Sequence, residues 1–462
     1  MKDLCHSTPD VCPETTSNGE LVSIFVDYEH PLLQLGRALP WEQITEVMIR
    51  EWRLSGKNVD GGPGRFLDVS LYVPLVVLML IKGFNSRQME AYVSENVVAR
   101  VFISRQGDPT PQIRDHANIA RVYGALSQEG LDELNTLILH EAKRYGFADT
   151  RILSSDTTME ELPIGYPNEP GILRGIAQRC LRALEKLGKQ GVSGVERAME
   201  QAQQVLRSVK EHHLFAKGRE AKRQVLERIM SETQDLLAHS ETLVGRLGRP
   251  QEAAKRSALR TLRTMAEVAR TLLPQIVHWL TTGTVAKGKI LHAGLTQAVS
   301  VVRNKAGKRV EFGLPYLISR LGGGYLFGTL LSRAPDETKM PLQALSAYRE
   351  RFGAQATPEL VVYDRGGYAK ATLDELAREG VKQVGVQPKG KGSWRVAEEV
   401  RNTIRSERGK TEGVIGSLKS DKYGFNKPKE RTPETLRMSG TRSILSFNLN
   451  KLMRDLTTVE QT

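Results

Sequence analysis

Residues 359–387, ELVVYDRGGYAKATLDELAREGVKQVGVQ, decide the fold. LVVY is a short apolar run that stops at Asp364, the pattern of a buried strand. RGGY then turns the chain. KATLDELAREG has the three- and four-residue apolar spacing of a helix, with Gly380 to close it. KQVGVQ is a second strand. Strand, helix and strand in succession mark an α/β sheet. A carboxylate at the end of a buried strand is held rigidly by the backbone, which suits a metal ligand and equally a turn residue.

Working outward, PLQALSAYRERFG upstream is an amphipathic helix, and KRVEFGLPYLISRLGGGYLFGTLLS reads as two strands turning at Gly322–Gly324. ILHAG and AVSVV before them are further strand candidates. Much earlier, ILSSD is a short strand expected to end at Asp156. Downstream come the basic, glycine-rich loop PKGKGSW, a helix through residues 405–419, a basic turn-rich stretch over 419–440, and the closing helix SILSFNLNKLMRDL. Strand, insertion, two strands, then helices alternating with strands is the order of an RNase H-like α/β fold. In that topology the strands ending at Asp156 and Asp364 are neighbours, and the helix carrying Glu412 packs over the same sheet edge.

That helix reads RSERGKTEGVIGSLK from Arg405 to Lys419. Arg405, Arg408, Glu412 and Lys419 fall on one stripe, a single carboxylate among three cations. Such a set gains little on a plain surface helix, because its like charges repel. It suits a place where an acidic ligand holds a cation against a phosphate gripped by Arg and Lys. Gly409, Gly413 and Gly416 cost the helix roughly 1 kcal/mol each against Ala and leave room for a DNA strand to come close. Asp156, Asp364 and Glu412 offer only hard oxygen donors, the donor set of Mg²⁺ or Mn²⁺ in a two-ion site and not of zinc.

The remaining sequence bounds the function. The chain has 462 residues with a formal net charge of +13, 40% hydrophobic and 6% aromatic residues. Its length allows two or three domains, and its charge favours a polyanionic partner, with nucleic acid ahead of a membrane surface. Three cysteines in a chain of this size argue for a reducing cytoplasm. Cys5, His6 and Cys12 lack a second ligand pair for zinc. The N-terminal residues contain no apolar signal region, and the run Val69–Ile81 is too short to span a bilayer. No GxSxG elbow surrounds Ser154 or Ser155, and no Walker-type Lys-Ser/Thr follows Gly322–Gly324. His212, His213 and His292 carry no ligand pattern.

The expected organisation is a loosely ordered lead-in over 1–65, with a strand candidate at Leu21–Val26 and a helix at Trp41–Trp52, and a helical, helix-turn-helix-compatible DNA-binding domain over 66–148. The α/β core starts at 149–170, is interrupted by a helical insertion (coiled coil or bundle) at 171–285, and resumes at 286–425. A basic C-terminal segment with the closing helix fills 426–462. Leu, Val and Met at three- and four-residue steps, with breaks at Gly188, Gly218 and Gly248–Pro250, predict several antiparallel helices in the insertion.

SSDTT at Asp156, ELVVYDRGGY at Asp364 and RSERGKTEGVIGSLK at Glu412 together resemble the motifs of bacterial insertion-sequence DDE transposases that have an N-terminal helical domain and an RNase H-like core. The last resembles that class's Y-x2-R-x3-E-x6-K signature, with Arg408, Glu412 and Lys419 in register and Arg405 in place of the Tyr. KAGKRVEFGLPYLIS and FNLNKL also resemble segments of such enzymes. The resemblance implies hydrolytic nicking of double-stranded DNA at the element's ends and transfer of the freed 3′-hydroxyl to target DNA, with Asp156, Asp364 and Glu412 as metal ligands. It implies that Arg408 and Lys419 hold phosphate. Lys389, Lys391, Lys427, Lys429 and Arg431 would track the backbone, and Trp394 would either stack on an unpaired base or pack in the core. A homodimer joining two element ends, with cytoplasmic, nucleoid-associated location, follows from the same likeness. The competing readings are another RNase H-like nuclease, and a non-catalytic coiled-coil DNA-binding protein.

Overall fold

The computed structural model describes residues 11–15, 21–57, 67–104, 115–305, 308–332, 335–388, 394, 396–430 and 432–459. A hairpin of β1 (Val11–Thr15) and β2 (Leu21–Phe25) precedes helices α1 (Pro31–Ala38) and α2 (Trp41–Leu54). Leu32, Leu35, Ile44, Met48 and Trp52 on these helices enter the largest hydrophobic core. The strand expected at Leu21–Val26 and the helix expected at Trp41–Trp52 are both present, whereas the loose order expected around them is not found where α1 and α2 pack into this core. The apolar residues of these helices recur at helical spacing, and the partner that buries them lies far along the chain.

Five helices follow: α3 (Val73–Lys82), α4 (Ser86–Glu95), α5 (Val97–Ile103), α6 (His116–Tyr123) and α7 (Gln128–Arg144). Every residue of α3 from Val73 to Ile81 is buried. Pro74 sits in its first turn, where a missing N–H costs nothing. Asn85 and Gln88 form a reciprocal capping box on α4, and Ser127 caps α7 through the Gly130 N–H. Arg100 turns back to donate to the carbonyls of Val93 and Ser94. Among the described residues, no single helix is long and apolar enough to cross a membrane.

The mixed sheet of six strands is built on β3 (Asp149–Glu161). After it come β4 (Val299–Lys305), β5 (Lys308–Gly322) and β6 (Leu326–Leu330), then β7 (Leu360–Tyr363) and β8 (Gln383–Val386). Their order is β4-β5-β3-β7-β8, with β6 also on β5. On one side β3 pairs antiparallel with β5 from Leu153 to Glu161. On the other it runs parallel to β7, over Ile152–Ser154 only. Thus β3 passes through Asp156 instead of ending there, because β5 continues to pair with it after β7 has stopped. ILHAG forms turns and no strand. At the β5–β6 turn Gly323 has φ +82°, and a Cβ there would lie 1.9 Å from the Phe147 carbonyl oxygen. Only glycine fits.

Between β3 and β4 lie four helices, α8 (Glu169–Lys189), α9 (Glu196–Leu214), α10 (Arg219–Leu247) and α11 (Ala253–Thr282). Each packs on the next and α11 returns to α8, which closes a bundle around its own core of Leu173, Ile176, Leu184, Leu236, Leu262 and Leu272 among others. An ion pair of Lys289 with Glu169, and another of Arg179 with Glu434 (3.3 Å), tie the bundle to the segments around it. The sheet is completed by α12 (Met340–Phe352), α13 (Lys370–Arg378), α14 (Glu398–Leu418) and α15 (Pro433–Val459). The closing helix α15 starts well before the apolar run that announced it. Asn448 in its middle donates to the Leu326 carbonyl and to Asn135, so buried amides stitch it to β6 and α7.

Candidate active site

Strand alternation sorts the side chains of β3 and β7 onto two faces. Leu153, Val361 and Tyr363 enter the large core with Met340, Leu345 and Tyr348 of α12. Leu360 and Val362 pack instead on Ile404 of α14. Asp156 and Asp364 have the parity of this second set and so face α14. The pairing Ile152–Leu360, Leu153–Val361 and Ser154–Val362 keeps a constant offset. Carried two residues further, it sets Asp156 beside Asp364.

Asp364 directly follows β7. Its Oδ1 accepts from the Gly366 N–H at 2.8 Å and caps the short turn Arg365–Gly367. Burial, then the neighbouring charge of Asp364, then that of Glu412, push the Asp156 carboxyl up to about 6. The Thr157 N–H and Arg408 pull the other way. Each of these groups thus lies close enough to act on Asp156, although residues 156, 364 and 412 are far apart in the chain.

A polar lock beneath α14 sets the position of Glu412. One face of α14 buries Ile404, Glu407, Thr411, Ile415 and Leu418. Arg320 of β5 is 2% exposed and pairs with Glu407. It also donates to Thr411 Oγ1 at 3.1 Å and to the Leu321 carbonyl at 2.8 Å. Thr411 Oγ1 meets Ser154 Oγ at 2.7 Å, two residues from Asp156. A buried charge pair is tolerated only when its remaining donors are satisfied, as they are here. The sequence carried a signal for this lock: Glu407 and Thr411 interrupt an otherwise apolar stripe of a helix, and Arg320 interrupts an apolar strand.

Glu412 follows Thr411 and stands at the solvent edge, 3.3 Å from Arg408. Arg405 is exposed one turn back and 3.8 Å from Glu398. A Cβ added at Gly409, Gly413 or Gly416 would meet nothing within 4 Å, so this face of α14 is open. Lys419 caps the helix and is half-buried. Trp394 packs against Leu360, Val362 and Ile404, which places it in a small core and not on a stacking surface. Lys427 donates its backbone N–H to the Glu161 carbonyl at 2.7 Å, in a left-handed conformation (φ 53°). At about 3.4 Å per strand residue, Glu161 is roughly 17 Å along β3 from Asp156. Lys427 and Lys429 therefore belong to a different part of the surface from the three acids. Lys389, Lys391 and Arg431 lie outside the described residues.

Three carboxylates, with Arg408 beside them, make a donor set that fits Mg²⁺ or Mn²⁺. Their oxygens are not all drawn within 4.8 Å of one another. Among the described residues that spacing is met by Glu90, Asp115 and His116 on the helical side of the molecule. Asp156, Asp364 and Glu412 would hold the ions between them, and the ions would supply activation of a water or hydroxyl. In comparisons with models of protein families, with curated proteins and with solved structures, nothing matched the chain.

Proposed function

We propose that the chain is a DDE transposase that binds the terminal inverted repeats of an insertion sequence and cuts and joins DNA strands there. The observation that supports this reading is geometric: the β3–β7 register brings Asp156 beside Asp364, and α14, which carries Arg408 and Glu412, packs across both strands. A sheet antiparallel on one side of β3 and parallel on the other, with α14 across the edge, supports an RNase H-like core.

Asp156, Asp364 and Glu412 would hold two Mg²⁺ ions, which supply activation of a water or 3′-hydroxyl and stabilisation of the leaving oxygen. Arg408, now held by Glu412, is free to swing to a phosphate once Glu412 turns to a cation. Lys419, one turn beyond the last glycine, meets the same backbone. The open glycine face of α14 lets that backbone approach. Hydrolysis forms a bond from water oxygen to phosphorus and breaks the phosphorus–O3′ bond. The freed 3′-hydroxyl then attacks a target phosphate, and that phosphate's own O3′ leaves. Joining two element ends calls for two copies of the chain on double-stranded DNA.

The test uses duplexes carrying the inverted repeats that flank the reading frame. Asp156→Ala, Asp364→Ala and Glu412→Ala should each abolish Mg²⁺-dependent cleavage while mobility-shift binding persists. Cleavage that survives all three changes refutes the assignment. Cleavage without preference for the repeats favours a different RNase H-like nuclease.

A further inference from the structure

A fourth acid stands at the same place, on the other side of the sheet. Glu337 lies in a short turn, Glu337–Lys339, between β6 and α12. Its Oε1 accepts from Thr157 Oγ1 at 3.0 Å and its Oε2 from the Tyr363 hydroxyl at 2.6 Å. Thr157 is the residue after Asp156, and Tyr363 is the residue before Asp364. Glu337 thus bridges the flanks of both acids just beyond Ser154–Val362, where pairing between β3 and β7 ends.

Neighbouring strand residues point to opposite faces. A group that grips Thr157 and Tyr363 therefore stands behind the sheet from Asp156 and Asp364, on the α12 side. Both its oxygens are taken by hydroxyls, so it is not a fourth ligand. Tyr363 is 1% exposed, and its hydroxyl is the donor to Glu337. Hydroxyl-to-carboxylate bonds of this kind are short and strong. The turn is itself anchored, since Asp336 caps it at Thr338 and Thr372 of α13 donates to the Thr338 carbonyl at 2.7 Å.

We propose that Glu337 is a positioning residue for the site: by clasping Thr157 and Tyr363 where the strand ladder stops, it sets the separation of Asp156 and Asp364. This rests on the metal-site reading given above. The chain contains no other described carboxylate bonded to residues flanking both acids.

The experiment measures Mn²⁺ binding to the full chain without DNA, following free Mn²⁺ by electron paramagnetic resonance. Asp156→Ala should lose binding. Glu337→Ala should weaken it about tenfold or more, the usual cost of removing a group that orients metal ligands. Glu337→Gln should recover most of the loss, because its amide oxygen can accept from Tyr363 while its N–H donates to Thr157 Oγ1. Tyr363→Phe should weaken binding severalfold, and adding it to Glu337→Ala should cost little more. A folded Glu337→Ala chain with wild-type Mn²⁺ affinity overturns the clasp, as does a Gln variant as weak as the Ala variant. If Glu337→Ala does not fold, wild-type affinity in Tyr363→Phe overturns it. Full binding in Asp156→Ala overturns the metal reading and the clasp together, whereas loss there with none in Glu337→Ala removes the clasp alone.

Discussion

Asp156→Asn should make the metal-free protein more stable. In the folded chain Asp156 is pushed up to about 6 from an ordinary 3.8, by burial first and then by Asp364 and Glu412. An acid whose folded value is raised supports the fold fully below its unfolded value and loses that support as pH rises through the folded one. Above pH 6 the ionised side chain therefore costs the fold at most about 3 kcal/mol, at 1.36 kcal/mol per pH unit. Asparagine has the same shape and carries no charge. With an unfolding entropy of about 2.1 cal/mol/K per residue, the gain corresponds to roughly 3 °C for a chain of this length. Calorimetry in chelator should show that rise at pH 8 and its near disappearance at pH 4. Mg²⁺ should then raise the midpoint of the wild type more than that of the variant. No gain at pH 8, or an equal gain at pH 4, would refute the reasoning.

Mn²⁺ affinity of the wild type, followed by titration calorimetry, should be flat above pH 6 and fall about tenfold per unit below it, since the cation must displace the Asp156 proton. Arg320→Ala strands the buried Glu407 and should cost about 3–5 kcal/mol in urea unfolding, with Arg320→Met combined with Glu407→Leu recovering much of it. Gly413→Ala should add up to about 1 kcal/mol to the stability of α14, because its Cβ enters open space. Gly413→Trp should keep the fold yet block strand cleavage, and a Trp variant that cuts normally would show that DNA does not lie on this face.

The parts legible in the sequence were those fixed by short-range pattern. The strand at Leu360–Tyr363, the helices either side of it and the hairpin turn at Gly322–Gly324 follow from local periodicity and turn chemistry. The neighbourhood of Asp156 and Asp364 was legible only through an assumed topology, and the pairing of β3 with β7 agrees with it. What stayed hidden depended on distant partners. The length of β3 is set by β5, more than 140 residues later. Helices α1 and α2 looked peripheral because the core that receives them includes β5, β6 and α15. Arg320, Glu407 and Glu337 were overlooked for a related reason: each is an ordinary charged residue until a remote segment supplies its counterpart. Trp394 went to packing instead of an exposed face, and only the fold shows which of those two applies.

The four-helix bundle between β3 and β4 also bears on synthesis. Its contacts are local, whereas the central strand must wait for partners made much later. On the ribosome α8–α11 can mature early and bring the end of β3 back toward the start of β4, which shortens the effective loop the sheet has to close. Until α14 has emerged, the nascent chain has two of its acids at best and no lock to seat the third. A prematurely released fragment would then lack the complete acidic set on which the proposed function depends.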